Sequence, residues 1–148
     1  PGRDVTPTAD ASFLVSLYAG DTHTREARAW MAAHASPIFV TPALRFETEN
    51  ALRLAAFRQR ITHEELRQAL ADIESDLAAG ILIPRDIPSA RLWAECRRLS
   101  VAQTLSHGAR AFDLLHVACA LLVGADAFLS FDARQRAVAA SVGLRAAP

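Results

Sequence analysis

Two carboxylates, Asp113 and Asp132, border the most hydrophobic part of this 148-residue chain, and Asp10 and Glu47 are further candidates for the same cleft. A lone carboxylate at an apolar site is costly and needs a partner or a metal. Four of them in one cleft repel. At about 4 Å and an effective dielectric near 20, each pair costs roughly 4 kcal/mol. A divalent cation resolves that repulsion, and an all-oxygen set of Asp and Glu favours Mg²⁺ or Mn²⁺. Other hydrolytic designs lack their residues: there is no H-E-x-x-H, cysteine cluster, P-loop or G-x-S-x-G.

Residues 110–140 set the frame for these acids. An almost wholly apolar helix starts near Asp113, and Gly124 is placed to end it in the left-handed region. A short apolar strand over 127–131 ends on Asp132, which can cap a helix over 133–141 closed by Gly143. Upstream, a strand over 8–11 precedes a helix over 12–19 that Gly20 ends. A helix over 22–35 is capped by Asp21 or Thr22 and followed by a strand over 37–41. Pro42 opens a helix to about residue 59, and the T-x-x-E capping box at Thr62–Glu65 opens another that ends at Gly80. A strand over 81–84, a helix from Pro88–Ser89 to about 105, a loop at 107–109 and an edge strand over 144–146 complete the pattern. Pro7 argues against a long first strand, because proline cannot donate to a central ladder.

Short apolar strands alternating with helices predict an α/β fold with a mainly parallel sheet. Such sheets place their sites in the crevice at the carboxyl ends of the strands. Asp10 ends the first strand, Glu47 lies on the first turns of the helix after the second, and Asp132 ends the strand over 127–131. Topology alone brings these three to one crevice and leaves Asp113 open.

The length predicts one domain spanning 1–148, which buries roughly 70% of its unfolded surface. A 51% hydrophobic composition excludes disorder. Sixteen basic and sixteen acidic residues cancel, so any nucleic-acid site must be a local patch. All the basic residues are Arg. A GC-rich codon bias explains that as well as the preference of phosphate for a guanidinium fork. Cys96 and Cys119 lack metal-type spacing and read as small core residues in a reduced, cytoplasmic setting. No apolar run approaches the ~18 residues of a membrane helix, and no apolar signal segment opens the sequence.

D-A-S-F-L-V-S-L-Y from Asp10, E-T-E-N-A-L-R-L from Glu47, F-D-L-L-H-V-A-C-A from Phe112 and S-F-D-A-R-Q from Ser130 together resemble the PIN domain. The nearest resemblance is to VapC-type toxins of bacterial toxin–antitoxin pairs, and it covers nearly the whole chain. It implies a three-layer α/β/α fold with a parallel sheet of about five short strands. It also implies a Mg²⁺-dependent endoribonuclease, with Mn²⁺ as a substitute, that cleaves RNA phosphodiesters with metal-activated water. A homodimer and a small inhibitory antitoxin belong to the same implication. The family's acidic set maps onto Asp10, Glu47, Asp113 and Asp132, with the first three holding the principal ion and Asp132 acting through water or on a second ion. E-x-x-N-A matches from Glu47, which leaves Glu49 solvated or paired with Arg45 or Arg53.

Each of the remaining polar residues carries two readings. Ser12 is a partner of Asp10 or a helix cap, and Ser130 borders the same cleft. His116 is a satisfied core histidine, a ligand or a base. Arg110 orients a carboxylate or touches a phosphate. Trp30, Trp93 and Tyr18 are core or dimer contacts, and Arg53, Arg58, Arg60 and Arg67 form an RNA-facing stripe or a solvated face. The rival for the whole protein is a non-catalytic PIN-like module that binds a partner through its acidic cleft. A phosphatase with a nucleophilic D-x-D is disfavoured, because the sequence reads Asp10-Ala11-Ser12 there.

Overall fold

Five short strands form one parallel sheet in a computed structural model that describes residues 6–148. β1 (Pro7–Ala9) is central; β2 (Ile38–Val40) and β3 (Leu82–Pro84) lie to one side, β4 (Ala127–Leu129) and β5 (Arg145–Ala147) to the other. Thr8 pairs with Phe39, and Ala9 with Leu129. Helices α1 (Ala11–Ala19) and α2 (Thr24–Ala33) join β1 to β2, and α3 (Pro42–Phe57) and α4 (His63–Ala78) join β2 to β3. Helices α5 (Ser89–His107) and α6 (Ala111–Leu122) lead to β4, and α7 (Ala133–Ser141) leads to β5.

Successive residues of β4 show why the sheet needs two covers. Phe128 and Leu129 are both fully buried, yet they join different clusters, because successive strand side chains point to opposite faces. Leu129 packs in a core with Phe13, Trp30, Leu44, Leu52 and Ile73, contributed by α1 to α4. Phe128 packs with Leu99, Leu114, Val117 and Val138, from α5 to α7. The result is the expected three-layer α/β/α arrangement.

Pro7 sits in the central strand after all, at its first residue, a position that tolerates proline. The strand ends at Ala9 rather than at residue 11, because Asp10 turns the chain into α1 as its N-cap. α2 starts later than expected. Asp21 and Thr24 hold the preceding turn instead: Asp21 accepts from the Ser16 hydroxyl at 2.7 Å and the His23 N–H at 2.8 Å, and Thr24 Oγ1 donates to the Ser16 carbonyl. α5 runs through His107, so the loop expected at 107–109 shifts by one residue to 108–110. Gly108 (φ 60°) and Gly124 (φ 72°) end α5 and α6 in the left-handed region that glycine enters without steric cost. α6 buries Asp113 through Ala120 without a break, whereas Leu121 is only half-buried.

Candidate active site

The chain order sends β2 and β3 one way from β1, and β4 and β5 the other. That makes the gap between β1 and β4 the switch point of the sheet, where open parallel sheets form their crevice. Asp10 and Ser130 each follow a paired residue there, Ala9 and Leu129, and the Asp10 N–H extends the ladder to the Leu129 carbonyl at 3.0 Å. Asp10 is 3% exposed. Its Oδ1 accepts from the Ser12 hydroxyl at 2.6 Å and the Phe13 N–H at 3.1 Å, and its Oδ2 from the Ser130 hydroxyl at 2.6 Å. Burial pushes its carboxyl above the ordinary Asp range, and the hydrogen bonds from Ser12, Ser130 and Phe13 oppose that push. Ser12 is therefore a partner of Asp10 and not the cap; its Oγ also accepts from the Phe131 N–H at 3.0 Å, tying the two strand ends together.

Glu47 lies on α3, which Pro42 opens and Thr41 caps. Its carboxylate meets Nε2 of His116, a buried residue of α6 one turn after Asp113. His116 also lies close enough to Asp10 to favour that carboxylate's charge. Glu49 faces elsewhere: it bonds Arg45 Nε at 2.8 Å and lies 3.4 Å from Arg53 Nη1. The Arg45 hydrogen bond lowers the Glu49 carboxyl below its usual range.

Asp113 is the third residue of α6 and 4% exposed. Its Oδ2 accepts from the Arg110 N–H at 2.9 Å, which closes the helix start, and from Arg110 Nε at 3.2 Å. Arg110 Nη2 lies 3.4 Å from Asp113 Oδ1 and 4.0 Å from Asp132 Oδ2. Asp132 caps α7 as expected, its Oδ1 accepting from the N–H groups of Arg134 at 2.9 Å and Gln135 at 3.0 Å. Its second oxygen is left facing Arg110. One guanidinium therefore links Asp113 and Asp132, and one imidazole holds Glu47.

A family model described as the PIN domain matches residues 8–141. The chain belongs to the PIN-domain family. Comparison with curated proteins gives no match. Among solved structures, this PIN domain is similar to VapC20 of Mycobacterium tuberculosis, described as a sarcin-ricin loop cleaving toxin. The identity is 17% and the TM-score 0.70, over 97% of this chain and 100% of that one. FitAcB from Neisseria gonorrhoeae is similar at 14% identity and a TM-score of 0.60, over 97% of each chain. PAE2754 from Pyrobaculum aerophilum matches at 16% identity and 0.59, over 97% of this chain and 84% of that one. At such identities the likeness is one of fold.

The donors of the PIN cleft suit a hard divalent cation by type, since all four acids offer only oxygen. Two observations agree: the Asp10 carboxylate is buried at a cost that a cation would relieve, and a positive group already lies between Asp113 and Asp132. As the side chains stand, no three His, Cys, Asp or Glu groups among the described residues converge closely enough to hold an ion. Each acid is engaged elsewhere: Asp10 by Ser12 and Ser130, Glu47 by His116, Asp113 by the Arg110 fork, and one oxygen of Asp132 by the α7 backbone. The residues fit in kind, and Glu47 and Arg110 must turn for them to fit in position.

Sequence reasoning had left His116 and Arg110 open, and both prove to be partners of the acids. Their signal was the helical spacing, Arg110 and His116 each lying about one turn from Asp113. The aromatic residues divide. Trp30 packs edge-on to Phe13 in the core, and Tyr18 donates to Asp76 at 2.6 Å. Trp93 stays half exposed on an apolar groove that it shares with Phe46 and Phe112. Of the suggested arginine stripe, Arg53 and Arg67 are paired with Glu49 and Glu64. No helix among the described residues is long and apolar enough to cross a membrane.

Proposed function

We propose that this PIN domain is a Mg²⁺- or Mn²⁺-dependent endoribonuclease toxin of the VapC type, held in check by a small antitoxin. The observation that carries the reading is the buried Asp10 at the switch point, with Asp132 following the neighbouring strand and Asp113 joined to it through Arg110. Likeness to a toxin that cleaves the sarcin-ricin loop supports RNA as the substrate class and a toxin–antitoxin context. A single domain acting as a homodimer in the cytoplasm completes the proposal.

Asp10, Glu47 and Asp113 would hold the ion, and Asp132 would orient water through its free oxygen. Bound there, the cation would acidify water and offset charge on the phosphate under attack. The chain's own residues do the positioning. Ser12 and Ser130 fix both oxygens of Asp10, so that its carboxylate cannot swing away. His116 holds the Glu47 carboxylate and would have to release it for Glu47 to reach the ion. Purified, antitoxin-free protein should cut RNA with Mg²⁺ and stop when the ion is chelated.

The rival reading is an interaction module whose acids bind only a partner's basic segment. That no three of these acids converge among the described residues is the observation in its favour. Protein that binds its antitoxin tightly, but cuts no RNA at any cation concentration, would decide for it.

A further inference from the structure

We infer that Arg110 is a built-in competitor of the metal: its guanidinium occupies the space between Asp113 and Asp132, and it must withdraw before a divalent cation can bind. This rests on the metal-dependent reading above and adds to it what sets the metal affinity.

Arg110 is the one cation among the described residues that ion-pairs with two of the four acids. Its fork takes both oxygens of Asp113, Nε at 3.2 Å and Nη2 at 3.4 Å, and the same Nη2 stands 4.0 Å from Asp132 Oδ2. The charge of Glu47 also acts on it. A carboxylate whose two oxygens accept from a guanidinium has few lone pairs left for an ion, and two cations in one small space repel. The side chain is nevertheless 67% exposed, so it has room to leave. Closed, it neutralises the cleft and lets the acids coexist without metal. The apparent metal affinity is then the intrinsic affinity reduced by the fraction of molecules with the fork open.

Removing the side chain leaves the helix start intact, because the Arg110 N–H, not the guanidinium, makes the 2.9 Å bond to Asp113. Mn²⁺ binding to antitoxin-free protein, followed by calorimetry, is the test, with Arg110→Ala beside wild type. Arg134→Ala is the charge control: it removes one positive charge from the start of α7, where Arg134 makes no ion pair with a described residue. Arg110→Ala should bind Mn²⁺ about fivefold more tightly, as expected for loss of an ion pair of this exposure, while Arg134→Ala stays within about twofold of wild type. Equal or weaker binding by Arg110→Ala overturns the inference and leaves the metal reading standing. Equal tightening by both variants also overturns it, since general field and not occupancy would then explain the gain. Absence of Mn²⁺ binding in every protein overturns both readings together.

Discussion

Asp10 serves two structures at once. One oxygen caps α1 and the other receives Ser130, so truncation to Ala removes a cap worth about 1 kcal/mol along with the carboxylate. Asp10→Asn is the cleaner substitution. An acid whose folded value is raised above the ordinary 3.8 contributes its stability while protonated, and that contribution is lost as pH rises through the raised value. The metal-free protein should therefore melt higher as Asp10→Asn than as wild type at neutral pH. The difference should shrink as pH falls towards 3.8, and a difference independent of pH would contradict the burial argument. Glu47 and Glu49 separate function from stability. Glu47→Gln should abolish cleavage. Glu49→Gln should keep it and cost about 0.2–1 kcal/mol in denaturant unfolding, the range of partly exposed ion pairs. Reversal of the two phenotypes would mean that Glu49 serves the cleft. The positions of Asp10 and Asp132 were legible in sequence because each follows a short apolar strand, whereas Asp113 and the choice of Glu47 over Glu49 came from the family resemblance. The Glu47–His116 contact was not legible, because its partners lie 69 residues apart and only the sheet topology joins them.

Elements were legible where local chemistry fixes them. The Thr62–Glu65 capping box formed as read, with both reciprocal bonds, and Gly124 ended α6 in the left-handed region. Strand ends were less legible, because three-residue strands buried on both faces, as β1 and β4 are, are too short to show alternation. The first strand's end depended on whether Asp10 would extend the ladder or cap a helix, and it does both. α6 is the element on which the site depends. It carries Asp113 and His116 towards the cleft and Val117 into the core below. Phe128→Ala, beneath α6, should cost about 3–5 kcal/mol in chemical denaturation through lost burial and a cavity. The remaining folded fraction should still cut RNA. A loss of activity per folded molecule as large as that of Glu47→Gln would show that the core and the site are coupled.

At the scale of the whole molecule, two helical layers of opposite origin meet over one switch point. The layer of α1 to α4 supplies Glu47 and covers one face; the layer of α5 to α7 supplies Asp113 and covers the other. Asp10 and Asp132 stand at the seam, each following a strand of the central pair. Any ligand that draws the four acids together must therefore bridge the two layers, and it should stabilise the fold as a whole. Millimolar Mg²⁺ or Mn²⁺ should raise the melting temperature of the antitoxin-free protein, because binding is confined to the folded state. Asp113→Asn should reduce that rise, and an unchanged rise would remove Asp113 from the site.

The central claim is that these four acids make a metal-dependent ribonuclease. The most direct measurement is the cleavage rate of one defined RNA by wild type and Asp10→Asn, in Mg²⁺ and in chelator, on preparations shown to be folded. Wild type should cut only with Mg²⁺, and Asp10→Asn should be slower by about a hundredfold or more, the scale of losing a group that acts on the transition state. Cleavage that persists in chelator, or an Asp10→Asn rate equal to wild type, would contradict it.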